Sequence, residues 1–141
     1  MKFKYKSFPI TTPSVAFPDR KAILRPIIPV ELFHNNKNVR TLALIDSGAD
    51  FCIFNREIEE LLGLDKEGGN CESFGGITGE KALAFFHKLQ ISVGGIKFDT
   101  YCGFSDGINK FGHGILGQRG FFDLYKVAFN HQKGEIEIKG N

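Results

Sequence analysis

Between Cys71 and Phe104 the chain reads CESFGGITGEKALAFFHKLQISVGGIKFDTYCGF, and this stretch constrains the fold more than any other. Alternating apolar and polar residues surround two glycine clusters: Gly75, Gly76 and Gly79 in the first, Gly94 and Gly95 in the second. A period of two is the spacing of a strand with one buried face, and paired glycines supply the positive φ that tight hairpin turns require. Two or three strands joined by hairpins are therefore expected here. With 15 phenylalanines and 17 glycines spread along the chain, and similar alternation elsewhere, the whole reads as a mainly β protein.

The rest of the chain fits that frame. Residues 2 to 10 alternate, and Pro9, Pro13 and Pro18 then punctuate a loop or edge segment. In KAILRPIIPVELF, Pro26 and Pro29 imply an edge or bulged strand, because proline cannot donate to a ladder. HNNKN makes a polar turn before VRTLALI, a near-continuous apolar run of the kind buried on both faces. FCIF predicts a short strand. Asn55 then caps a helix over REIEELLG, stopped by Gly63. The tail offers HGILG, a helical turn in QRGFFDLY, and a final hairpin of KVAFN and EIEIK around HQKG.

A chain of 141 residues is the size of one domain with its own core. Eighteen basic against 16 acidic residues leave a net charge of +2 with no basic stripe, so nucleic acid is not an expected partner. No apolar run approaches membrane-spanning length, and the basic MKFKYKSFPI is not followed by an apolar core of signal-peptide length. Cys52, Cys71 and Cys102 are odd in number and widely spaced, which suits reduced thiols better than a disulfide framework or a C-x-x-C site. The expectation is a soluble, cytoplasmic protein with no membrane contact.

The candidate chemistry lies in TLALIDSGAD, residues 41 to 50. Asp-Ser-Gly or Asp-Thr-Gly is ordinary turn chemistry, expected by chance in roughly one protein in fifteen of this length. Its setting gives it more weight. Asp46 ends an apolar strand, where a charge is costly unless it is paired or used. The glycine-rich SFGGITGE follows about thirty residues later, and HGILGQRGFF, with an apolar-apolar-Gly triplet, about seventy residues later.

In that order, from about residue 22 to 139, the chain resembles the retropepsins, single-domain aspartic peptidases of retroviruses with cellular relatives in microbes. The resemblance implies a closed, partly barrel-like acid-protease fold with one or two short helices and a glycine-rich flap hairpin. It makes residues 1–141 one domain, with a core of about 22–139 and an N-terminal extension of about 1–21. Asp46 matches the catalytic aspartate, Ser47 the hydroxyl residue that braces the active-site loops, and Gly48 the glycine of close backbone approach. Ala49 and Asp50 match residues lining the substrate main chain. Gly75, Gly76, Ile77 and Thr78 match the tip of the flap over bound peptide, and Ile115, Leu116 and Gly117 the segment beneath the active-site loop. Viral members usually place arginine directly after that glycine; here Gln118 intervenes before Arg119, so side-chain support of Asp50 by Arg119 is not carried over.

Acid-base hydrolysis of a peptide bond needs a general base for water and a general acid for the product, and two carboxyls sharing one proton supply both. One Asp-Ser-Gly is half of such a site. SDGI at 105 to 108 has the wrong order to be the other half, and a two-lobed enzyme would need about twice the length. The expected enzyme is therefore a homodimeric aspartic endopeptidase acting on peptide or protein substrates, with Asp46 of each chain meeting on a two-fold axis. No cofactor is implied. Ala49 cannot donate the hydroxyl bond that a Ser or Thr would give there, which predicts a pH optimum in mildly acidic to near-neutral conditions.

Plainer readings stand beside these. The same dimeric groove could bind extended peptides without cleaving them, or Asp-Ser-Gly could be only a turn in a monomer. Ser47 lacks the G-x-S-x-G elbow of a serine nucleophile, and Cys52 on its apolar strand reads as core. His34, His87, His113 and His131 are dispersed, without a metal-binding partner at ligand spacing; His113 is the one beside the Ile-Leu-Gly segment. GGITGEK fails as a phosphate loop because only three residues separate its glycines. The phenylalanines read mostly as core, with a minority free for substrate pockets. Asp50 serves equally well as a substrate contact or as half of a structural ion pair.

Overall fold

The computed structural model describes residues 1–75, 79–109 and 112–141. In chain order the elements are β1 (Lys2–Lys4), β2 (Lys6–Pro9), β3 (Ala22–Arg25), β4 (Ile27–His34), β5 (Lys37–Ile45), β6 (Cys52–Asn55), α1 (Arg56–Leu61), β7 (Asn70–Gly75), β8 (Lys81–Val93), β9 (Ile96–Ser105), β10 (Gly114–Leu116), β11 (Tyr125–Asn130) and β12 (Glu135–Gly140). The expected mainly β fold is present, with α1 as its one α-helix among the described residues.

Strands β4, β5, β10, β6, β9 and β8 form a sheet in that order, and Glu31–Phe33 of β4 pairs with Gln90–Ser92 of β8 to close it. The result is a six-stranded barrel, with β7 attached outside β8. Closure leaves residues 27 to 30 of β4 without a second neighbour. Pro29 sits in that part, paired with β5 alone, so its missing N–H breaks no ladder. Pro26 divides the run KAILRPIIPVELF: β3 before it and β4 after it belong to different sheets.

Local chemistry explains most boundaries. The Asn55 side chain accepts a hydrogen bond from Glu57 N and caps α1, and Gly63 with φ of 69° follows its end. Gly94 and Gly95, with φ of 58° and 82°, make the two-residue turn between β8 and β9. VRTLALI departs from expectation, since within β5 burial is complete only at Ala43 and Ile45. Only that end has neighbours on both sides, because three-residue β10 pairs with residues 43 to 45 and no further.

The barrel interior holds Phe54, Phe104, Phe121, Ile28, Leu32, Ile91 and Leu116, all essentially inaccessible. Each such side chain contributes about 1.5–3 kcal/mol of transfer free energy. A three-stranded sheet, β1-β12-β11, packs on the same core through Ile136 and Ile138, and the amino group of Met1 donates to Ile138 O at 2.7 Å. Residues 1 to 5 are thus built into the body, and β2 with β3 forms a separate two-stranded ribbon. One buried polar pair ties α1 to the barrel: His87 Nε2 on β8 lies 2.8 Å from Glu59 Oε2, both nearly inaccessible.

Candidate functional site

The loop from Asp46 to Phe51 joins β5 to β6, and β10 with the residues after it runs alongside. The Asp46 N–H donates to Leu116 O at 3.0 Å, continuing the parallel β5–β10 ladder by one residue. Beyond it, Gln118 N donates to Ala49 O at 2.8 Å and Arg119 N to Asp50 O at 2.9 Å. The Gln118 amide adds a third strap, Nε2 to Ser47 O at 2.9 Å. Inside the loop, Gly48 N donates to Asp46 Oδ1 at 2.9 Å and Ala49 N to Asp46 O at 3.2 Å, an Asx-type turn that orients the carboxylate. Satisfied this way, the turn holds its shape without help from a ligand.

Glycine is required where the two segments touch. A Cβ on Gly117 would lie 2.2 Å from the Phe51 carbonyl oxygen and 2.7 Å from that of Ala49, and the Ala49 oxygen is held in place by its bond from Gln118 N. A Cβ on Gly114 would meet the Phe54 ring at 2.2 Å. At Gly48 the added carbon would stand 3.3 Å from Asp46 Oδ1, close enough to press on the carboxylate.

The resulting surface is open. Asp46 is half-buried, Ser47, Gly48 and Asp50 are exposed, and Ala49 is half-buried between them. One carboxylate oxygen of Asp46 is held by Gly48 N; no second carboxyl is hydrogen-bonded to it among the described residues. Asp50 has no ion-pair partner there either, and its only link to Arg119 is through backbone. Ile115 and Leu116 lie beneath the loop in register with Leu44 and Ile45.

The glycine hairpin is formed by β7 and β8, which stay paired up to Gly75 opposite Lys81. Gly79 follows with φ of 80°. Gly76, Ile77 and Thr78, the remaining expected flap residues, lie outside the described residues. Between β7 and the Asp46 loop is a cavity of about 300 Å³ lined by Phe51, Phe86, Tyr101, Asn70, Glu72 and Arg119.

Other polar candidates have structural roles. His34 Nδ1 donates to Leu62 O, and His113 Nδ1 to the adjacent Gly114 O. Among the described residues no three His, Cys, Asp or Glu side chains gather closely enough to hold a metal ion. Cys52 and Cys102 are fully buried, opposite each other on β6 and β9, and burial holds the Cys102 thiol well above its ordinary range. Sequence reasoning missed Gln118 as a contributor, taking it for an interruption before Arg119. The strap joins residues 71 positions apart, so no local pattern announced it.

The sequence pattern of the aspartyl protease family matches residues 28–119, well over half of the chain. Among solved structures, the fold resembles a retropepsin-like aspartic protease from Rickettsia conorii, with a TM-score of 0.56 and 17% identity over 80% of this chain and 89% of that one. It also resembles the EIAV protease complexed with the inhibitor HBY-793, with a TM-score of 0.50 and 22% identity over 67% of this chain and 82% of that one. No curated protein sequence matches.

Proposed function

The chain belongs to the aspartyl protease family, and on that premise we propose that it is a homodimeric aspartic endopeptidase whose site is completed by a second copy of Asp46. The observation that carries this reading is the strapped, outward-facing Asp46 loop: one carboxylate, oriented by Gly48 N, at an exposed surface with no second carboxyl bonded to it. With Asp46 of the partner subunit opposite, one carboxyl is ionised and the other protonated, since two like charges about 3 Å apart do not both ionise easily. The ionised one takes a proton from water as the water oxygen attacks the peptide carbonyl carbon. The protonated one donates to the carbonyl oxygen, and return of a proton to the amide nitrogen releases the amine product.

In this reading Ser47 and Gly48 hold the loop, while Ala49 and Asp50 line an extended peptide. Gly75, Gly76, Ile77 and Thr78 cover it as a flap, and the alternation of the peptide's side chains selects sequence. The absence of an Asp50 ion pair among the described residues favours the substrate role for that carboxylate. Free Cys52, Cys71 and Cys102 suit a reducing, cytoplasmic setting, and no helix among the described residues is long and apolar enough to cross a membrane.

The test is digestion of a diverse peptide library from about pH 4 to 8 by wild type and Asp46→Asn, with sedimentation of the same samples. Cleavage by wild type, with a rate maximum in mildly acidic to near-neutral conditions and at least a roughly 1000-fold loss in the variant, is the expected result. Cleavage surviving in the variant refutes the assignment. Binding without cleavage identifies a peptide-binding module, and a rate maximum at about pH 3 or below contradicts the reading of Ala49.

A further inference from the structure

The ribbon of β2 and β3 is the least explained part of the molecule. It forms a sheet of its own, all four residues of β2 are exposed, and neither apolar cluster of the body contains a residue from 6 to 25. A two-stranded ribbon is marginal alone in water, yet this one carries apolar side chains outward. Phe8 is 38% exposed, Phe17 60% and Val15 99%, the last two in the loop that closes the ribbon. Three of the nine large exposed apolar residues among the described residues fall in this one segment.

We propose that the ribbon is an arm that grips the body of a second copy of this chain; the proposal rests on the homodimeric reading of Asp46. Its attachment points supply the first argument. At one end Tyr5 N donates to Gly134 O in the β11–β12 turn. At the other, Ile45 N donates to Pro26 O at 2.9 Å, and the next residue is Asp46. The arm therefore leaves the barrel beside the residue that must stand near the two-fold axis. Surfaces near such an axis face the partner. Ladder pairs from Lys6–Arg25 to Pro9–Ala22, extended by the Ile10 N to Lys21 O bond, carry the arm about 17 Å outward.

The second argument is electrostatic. Residues 6 to 25 hold Lys6, Arg20, Lys21 and Arg25 against Asp19 alone, whereas the other residues hold 14 basic against 15 acidic. Two such arms repel each other and are attracted, weakly, to the rest of the partner. Each arm consequently lies on the partner's body, with Val15 and Phe17 as its apolar contacts. Strand β12 has no free edge for an alternative pairing, because β1 and β11 flank it within the chain.

The test uses the full chain. Val15→Asp with Phe17→Asp alters side chains that contact no core, so the monomer's circular dichroism and melting stay as in wild type. Sedimentation over a wide concentration range should show the dimer dissociation constant raised by about 100-fold, with specific activity lost on dilution and recovered at high protein. Arg20→Glu with Lys21→Glu should weaken the dimer as well, more so at low salt. An unchanged dissociation constant in both variants overturns the arm. So does a raised KM with an unchanged dissociation constant, which would make the ribbon a substrate-docking element. Failure of the underlying reading looks different: wild type itself stays monomeric at every concentration, with or without peptide.

Discussion

Two neighbouring regions of this molecule are finished to very different degrees. The Asp46 loop is tied to residues 116 to 119 by four hydrogen bonds and to Gly117 by a contact that admits no side chain. The β2–β3 ribbon, rooted one residue away, contributes nothing to either apolar cluster and holds Val15 fully in solvent. In the proposed reading a single chain completes the geometry of the loop but not its chemistry, and it leaves the apolar side chains of the ribbon uncovered. Both shortfalls are met by the same event if a second copy docks. The difference also separates what mutation can show: damage to the loop registers in the isolated chain, and damage to the ribbon registers only in assembly.

The sharpest way to break that contrast is Gly117→Ala against Val15→Ala. The first forces a methyl group within 2.2 Å of a carbonyl oxygen whose neighbours are bonded to the loop. Overpacking of this kind costs about 3 kcal/mol or more, and in a domain of this size lowers the melting temperature by roughly 10 °C. The second removes two methyl groups from a side chain already in water and should change stability by less than about 0.5 kcal/mol. Thermal unfolding of both checks this. Equal effects would mean that the loop is looser, or the ribbon better packed, than their contacts imply.

A smaller effect tests whether tight packing is peculiar to the loop or general to the barrel. Glu59 on α1 and His87 on β8 form a buried hydrogen-bonded pair, with Arg56 Nε 3.9 Å from the same carboxylate. Glu59→Ala leaves His87 Nε2 buried without its partner and should cost about 2 kcal/mol. A double-mutant cycle with His87→Ala, read by denaturant unfolding, should give a coupling of roughly 1 kcal/mol or more. Additive effects would show that each side chain is held independently.

How far the sequence foretold these regions follows from the range of the interactions. The Gly94-Gly95 turn, the Asn55 cap of α1 and the terminal hairpin were legible because the residues that make them are neighbours. Asp46, Gly117 and the glycine hairpin were legible as an ordered set. Other features depend on pairings across the chain. The Glu59–His87 pair spans 28 residues, and acids in a short helix read as solvated. Gln118 reaches Ser47 over 71 positions, with no local pattern to announce it. The ribbon was hidden because KAILRPIIPVELF looks like one strand, and only the structure shows Pro26 dividing it between two sheets.

The smallest effect concerns the thiols, which sample both kinds of region at once. Cys52 and Cys102 face each other inside the barrel, inaccessible, while Cys71 is exposed on β7 beside the cavity lined by Phe51 and Phe86. Burial, then the neighbouring Cys52, hold Cys102 protonated where a free thiol would begin to ionise. Native protein at about pH 8 should therefore release one thiol equivalent quickly to a disulfide reagent and three only after unfolding. The linkage has a definite sign. Above about pH 8.5 the unfolded chain gives up a proton that native Cys102 keeps, so stability falls as pH rises through that range. Peptide bound along β7 should slow labelling of Cys71 and leave the buried pair unaffected. Labelling of Cys71 that is indifferent to a peptide the protein demonstrably binds would move the peptide away from β7, and with it the boundary between the finished and open parts of the molecule.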